Sequence, residues 1–316
     1  MVKRPNGSQV IWANLIHLST NMWADRKSPE WGGDLEYLAA QPYLRFDIEF
    51  WHELIPKMAE AGINMVVLDL GDGVKYESHP EIAVKDAWTV STLKKELYRL
   101  RGVGIEPIPK MNFSATHDVW LGPYSRQVST DAYYAVCRDL IAEVIALFEK
   151  PRFFHLGMDE ETAAHQRLYE YVVIRQHDLW WRDFLYLVEQ VEKAGSRAWI
   201  WSDYVWEHPD VFKKKMPKSV LQSNWYYGES FSRKLNYVKA YLDLEEHGYD
   251  QVPTGSNWST PTNFEKTAAF ARNNIAPERL KGFLQTTWKP TLPQFRERHL
   301  QAIEQVARAR KKFEKR

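Results

Sequence analysis

The chain has 316 residues, with 42 Lys plus Arg against 41 Asp plus Glu, an apolar fraction of 44% and a charged fraction of 26%. That is the composition of a globular protein, with no basic surplus to draw it to nucleic acid or an anionic membrane surface and no apolar run long enough to span a bilayer. A single cysteine, Cys137, excludes an internal disulfide framework, and its place on an apolar helix face reads as core packing.

The N-terminus, MVKRPNGSQV, is polar and lacks the apolar stretch of a secretory signal. The expected location is therefore cytoplasmic, or secreted if a leader has been removed. Residues 9–18 read as a first strand, followed by a helix over 47–61 that is stopped by Gly62. The nearly all-apolar run 63–70 reads as a strand covered on both faces. A helix over 92–100, capped by Ser91, leads to a third strand at 105–113. The helix 131–148 carries Tyr133, Cys137, Leu140, Ile141, Val144 and Phe148 on one face. Strand four is the stretch 152–162, RFFHLGMDEET.

The alternation continues with a helix over 178–193, a strand at 197–201, a brief helix at 210–215 and a strand at 220–225. A helix over 233–246 and a strand near 251–258 follow. The helix 263–273, the strand 282–288 and a basic helix over 293–311 close the chain. Eight βα units without a linker or composition break predict a (β/α)8 TIM barrel occupying residues 1–316 as one domain. An open doubly wound sheet is disfavoured, because no Gly-rich phosphate loop follows the first strand.

A barrel of this kind gathers its functional residues at the C-terminal ends of its strands. In order, those ends carry His17 and Asn21, Asp69 and Asp72, Asn112 and His117, Asp159 and Glu160, Trp201 and Asp203, Asn224 to Tyr227, Asn257 and Trp258, and Gln285 and Trp288. Fourteen Trp, 16 Tyr and 14 Phe exceed what a Val/Ile/Leu barrel core requires. Indole and phenol faces stack on sugars and bases, and the neutral charge balance favours a carbohydrate over a nucleic acid. Glu160 is the candidate general acid, because an aromatic pocket desolvates its charge and raises its pKa. Asp159, its neighbour on an extended segment, would face the other way. Solvated loop carboxylates capping the next helix would give the same sequence.

The segment HLGMDEE resembles the His-x-Gly-Gly-Asp-Glu signature of family 20 glycoside hydrolases, the β-N-acetylhexosaminidases, with Met158 at the second Gly. LDLGDG places Asp72 where the family has an Asp after strand two, and NFSATH places His117 where it has a His after strand three. The resemblance implies a retaining reaction in which the substrate's 2-acetamido oxygen attacks its own anomeric carbon, without a cofactor or metal. Asp159 would orient the acetamido group, Glu160 would act as acid and base, and Asp72 and His117 would form a supporting relay. Trp201, Trp225, Trp258 and Trp288 would be aromatic walls, and Tyr226 or Tyr227 the acetamide partner. Asp69, His155 and Asp203 complete the expected substrate-binding set. The stretch HLSTNMW lacks the family's sugar-gripping Arg, Trp288 is followed by Lys289 and Pro290 rather than an acid, and the barrel is expected without the accessory domain that often precedes it in the family.

Three other readings use the same residues. A metal-dependent barrel would draw on His17, His79, His117, His155, Asp69, Asp159, Glu160 and Asp203, although no HExxH spacing occurs. A glycosidase acting on another sugar would use Asp203 or Asp69 as second carboxylate. A glycan-binding barrel without activity would retain the aromatic walls alone. Trp12, Trp180 and Trp181 read as packing, and Lys213–Lys215 and the tail 308–316 as solvated helix faces.

Overall fold

The computed structural model describes residues 9–31 and 33–315. The polar residues 1–8, on which the reading of the N-terminus rests, and Arg316 of the basic tail lie outside the described residues. Eight parallel strands alternate with helices along the chain. They are β1 (Ile11–His17), β2 (Met65–Asp69), β3 (Glu106–Lys110), β4 (Phe153–His155), β5 (Arg197–Trp201), β6 (Leu221–Ser223), β7 (Thr254–Ser256) and β8 (Gly282–Thr286). The sheet order β6-β5-β4-β3-β2-β1-β8-β7 wraps into a ring. Three backbone hydrogen bonds close it between β6 and β7: Gln222 to Asp250, Val252 to Gln222 and Thr254 to Asn224. The result is the expected (β/α)8 barrel.

The helices lie on the outside. They are α1 (Ile48–Glu60), α2 (Val90–Gly102), α3 (Asp131–Leu147), α4 (His177–Lys193), α5 (Tyr204–Glu207), α6 (Pro209–Lys215), α7 (Asn236–Glu246), α8 (Asn263–Asn274) and α9 (Arg296–Glu314). Asp47 caps α1 by accepting the Phe50 amide at 2.7 Å. Helix α2 starts earlier than expected: Thr89, not Ser91, accepts the Thr92 amide at 3.0 Å. The short α5 was not anticipated; it is a single turn that carries Trp206 to the rim.

Period-two alternation divides each strand between two cores. Outward residues such as Ile16, Val66, Leu68 and Ile200 pack beneath the helices together with Trp51, Cys137, Trp180 and Trp181. Inward residues such as Leu15, Val67, Ile108, Trp199 and Leu284 fill the barrel. At the next inward level the register sets His17 beside Asp69, Asp69 beside Lys110 and Lys110 beside His155. Lys110 Nζ is 2.5 Å from Asp69 Oδ2, and His17 Nδ1 is 3.2 Å from the same oxygen, all three side chains being buried. Burial opposes the Asp69 charge, but Lys110 and His17 outweigh it and hold its carboxyl low. This layer is a charged plug under the rim.

Candidate active site

The β4 strand ends at His155, and the next five residues leave the sheet through an irregular turn. Gly157, Met158 and Glu160 all take positive φ, at 72°, 74° and 53°. Only glycine adopts this region freely, so Met158 and Glu160 are held there by their surroundings. The amide of Met158 donates to Asn112 Oδ1 at 3.1 Å, and the Glu160 amide donates to Asp203 Oδ2 at 2.8 Å. Thr116 Oγ1 donates to the Glu160 carbonyl at 2.8 Å. The segments that follow β3 and β5 thus pin the turn from both sides.

The turn brings the two carboxylates together, whereas an extended segment would have pointed them apart. His117 Nε2 lies 3.5 Å from Asp159 Oδ2 and 3.4 Å from Glu160 Oε2. Asn112 Nδ2 donates to Asp159 Oδ1 at 2.7 Å. His165, exposed on the following loop, places Nε2 3.4 Å from Glu160 Oε1. Burial pulls the His117 imidazole down, but the Asp159 and Glu160 charges outweigh it and hold it at about 10. Burial pushes Glu160 up, as expected from an aromatic pocket, yet hydrogen bonds from His117 and His165 bring it below the ordinary range. Asp159 is lowered in the same way by His117. Burial and then the neighbouring Asp159 charge push Asp203 up to about 8. These shifts favour charged His117, Asp159 and Glu160 and a protonated Asp203, the opposite direction for Glu160 from the one an aromatic pocket alone predicts.

Asp159, Glu160, His117 and Asn112 face a cavity of about 280 Å³, walled by Trp23, Tyr37, Trp225, Tyr227, Trp258 and Trp288. Trp288 donates its indole N–H to Tyr227 Oη at 3.0 Å, and Trp225 stacks on Tyr227 with centroids 5.1 Å apart. The Tyr37 hydroxyl donates to the Trp288 carbonyl at 2.8 Å. Tyr226 does not line this cavity; it faces a larger, adjoining groove that also takes in Asp203 and His165.

Several expected site residues are placed elsewhere. Asp72 is bound by Ser19 at 2.5 Å and Asn21 at 2.8 Å and makes no contact with His117, so the anticipated relay is not formed. Burial, opposed by those two hydrogen bonds, raises Asp72 to about 6. Asp69 belongs to the plug and lines neither cavity. His155 is fully buried with its ring 4.4 Å from that of Trp201, and its Nδ1 accepts the Gly157 amide at 3.1 Å. Trp201, 1% exposed, lies under Trp288 at 5.8 Å and supports the wall from below. Sequence reasoning did not single out Trp23, Tyr37, Trp206 or His165; they sit in loops or short turns where no period or motif marks them. Asn112 was visible as a rim residue but not as the partner of Asp159.

The nitrogen and carboxylate oxygens of His117, Asp159 and Glu160 lie within 4.8 Å of one another, the one such group among the described residues close enough to surround a cation.

The fold is similar to the (β/α)8 barrels of proteins solved as β-N-acetylhexosaminidases, the fold that the sequence resemblance implied. A chitobiase from Flavobacterium johnsoniae superposes with a TM-score of 0.62 at 16% identity over 85% of this chain and 48% of that one. A β-hexosaminidase from Streptomyces plicatus, bound to its product GlcNAc, gives 0.62 at 13% identity over 94% and 64%. Dispersin B gives 0.58 at 14% identity over 84% and 95%. The chain thus spans about half the length of the chitobiase and nearly all of Dispersin B. No family model and no curated protein matches the sequence.

Proposed function

We propose that the chain is a glycoside hydrolase that removes terminal β-linked N-acetylhexosamine residues by substrate-assisted, retaining catalysis. The observation that carries this reading is the convergence of Asp159 and Glu160 on His117 at the floor of an aromatic cavity on the strand C-terminal rim. The fold likeness to enzymes named for this activity supports it.

In this reading the terminal sugar fills the 280 Å³ cavity, its apolar face against the indoles. Asp159, kept ionised by His117 and oriented by Asn112, faces the acetamide nitrogen and the positive charge that develops as the acetamide oxygen attacks. Tyr227 is the acetamide partner rather than Tyr226: its oxygen already accepts from Trp288, which leaves its own proton to donate. Glu160 gives a proton to the leaving oxygen and afterwards takes one from water. That proton comes from His117, 3.4 Å away, when the sugar expels water and separated charges become more costly.

The test is a panel of aryl glycosides with and without the 2-acetamido group, run on the wild type and on Glu160→Gln. Cleavage restricted to 2-acetamido sugars, and abolished by the substitution, is expected. Efficient cleavage only of sugars lacking the acetamido group would overturn the mechanism. Stoichiometric zinc or manganese in the purified protein would instead favour a cation held by His117, Asp159 and Glu160.

A further inference from the structure

The two sides of the sugar cavity differ in chemistry. Its ionisable groups, His117, Asp159 and Glu160, crowd within 4.8 Å of one another on the β4 side. Because the ring closes between β6 and β7, the strand opposite β4 is β8. The wall on that side comes from the loop after β1, with Met22, Trp23, Tyr37 and Leu38, and from the ends of β7 and β8, with Trp258 and Trp288. A 2-acetamido sugar whose anomeric carbon lies at Glu160 turns the far edge of its ring, with the groups on C4 and C6, toward this wall.

The polar atoms of the wall are spent on one another. The Tyr37 hydroxyl donates to the Trp288 carbonyl at 2.8 Å, and the Trp288 indole donates to Tyr227 Oη at 3.0 Å. These bonds hold Trp288 at a φ of 53°, so the wall is set before a sugar arrives. On its flank Trp225, which also lines the adjoining groove, stacks on Tyr227.

The basic groups nearby are turned elsewhere. Lys289 lays its ammonium 4.4 Å from the centre of the Tyr37 ring and 5.4 Å from that of Trp258, and does not line the cavity. Arg45 donates to the Tyr37 carbonyl at 2.6 Å and to Asn21 Oδ1 at 3.0 Å. His17, whose ring touches those of Trp23 and Trp288, belongs to the plug with Asp69. Among the described residues, that side therefore offers a ligand the Met22 thioether, the Leu38 isobutyl group, aromatic faces and the indole N–H groups of Trp23 and Trp258. Indoles donate and cannot accept, so the proton of a sugar hydroxyl finds no acceptor stronger than the thioether. A hydroxyl left unpaired there weakens binding, whereas a methyl group in its place gains from the contact.

We infer that the terminal sugar this cavity takes is a 2-acetamido-2,6-dideoxyhexose, with its C6 methyl on the Met22 and Leu38 side, rather than a fully hydroxylated N-acetylhexosamine. The inference rests on the glycosidase reading above and names its substrate class. Met22 and Leu38 are then the side chains that set specificity.

The experiment compares kcat/KM for aryl β-glycosides of N-acetylglucosamine and of its 6-deoxy and 4-deoxy analogues, on the wild type, Met22→Gln and Leu38→Asn. The wild type should prefer the 6-deoxy glycoside to the hydroxylated one by roughly 5- to 100-fold, the span expected for one unpaired hydroxyl. An amide at either position supplies an acceptor, and should narrow that preference by roughly 3- to 10-fold through a gain on the hydroxylated glycoside. Wild type that cleaves the N-acetylglucosaminide as well as or better than the 6-deoxy glycoside overturns this inference and leaves the glycosidase intact. A preference for the 4-deoxy over the 6-deoxy glycoside overturns it as well, as does a preference unchanged in both variants. No cleavage of any glycoside overturns both readings. Should Met22→Gln, at a buried position, fail to fold, Leu38→Asn, at a half-buried one, decides the outcome.

Discussion

Individual side chains in this site divide by what they touch. Glu160→Gln removes the proton donor, and kcat is expected to fall roughly 100- to 10,000-fold in steady-state assays of a 2-acetamido substrate. Asp159→Asn keeps the Asn112 contact but not the charge; a loss of roughly 100- to 1,000-fold, in kcat more than in KM, is expected. Asp69 is a different case. The sequence marked it as a rim carboxylate, but strand parity puts it inward and its register partner Lys110 neutralises it. Lys110→Met would strand that charge, and urea unfolding should show a loss of roughly 3–5 kcal/mol. A stability unchanged within error would contradict the plug. The pair Asp159–Glu160 was legible because an apolar strand ended in acids. Its partner Asn112, 47 residues away, and the absence of Asp72 were not, because contacts that far along the chain leave no local period, and nearby His165 sits in an irregular loop with no period to mark it.

At the level of elements, the turn after β4 controls the site. Gly157 sits at φ +72° with no room for a side chain: an added Cβ would lie 2.1 Å from Asn112 Oδ1 and 2.8 Å from the Asn112 backbone. Gly157→Ala should therefore cost roughly 1–3 kcal/mol of stability and displace Asp159 through Asn112. Thermal melts and kcat should fall together; an active, fully stable variant would refute the coupling. The strands and long helices could be read from apolar periodicity, which packing on two cores enforces. Boundaries at β4, β6 and β7 could not, because each is only three residues long and the rest of its apolar run is rim or loop. The loop after β1, which supplies Met22, Trp23 and Tyr37 to the cavity, has no repeat that would announce its role.

For the whole molecule, the charge arrangement carries a pH signature. Asp203 is raised from 3.8 to about 8 in the folded chain, so between those values the folded state binds a proton that the unfolded state has released. Its contribution to stability is complete below the lower value and lost as the pH climbs through the upper one. Asp203→Asn keeps an acceptor for the Glu160 amide but cannot titrate. The Tm difference should move in favour of the variant from about pH 4 to pH 8 and stay level above; a difference independent of pH would contradict the shifted carboxyl. The ring is thin between β3 and β4, which share a single register pair, and again between β6 and β7. Between β6 and β7 three backbone bonds do the work that five paired residues do between β1 and β2, and Trp225 stands at that joint, opposite Thr254. Amide protons there should exchange with deuterium sooner than those of β1 and β2. The indole shared by the two cavities would then ride on easily breathing staves of the barrel, so the passage from one cavity to the other would widen and narrow with the seam.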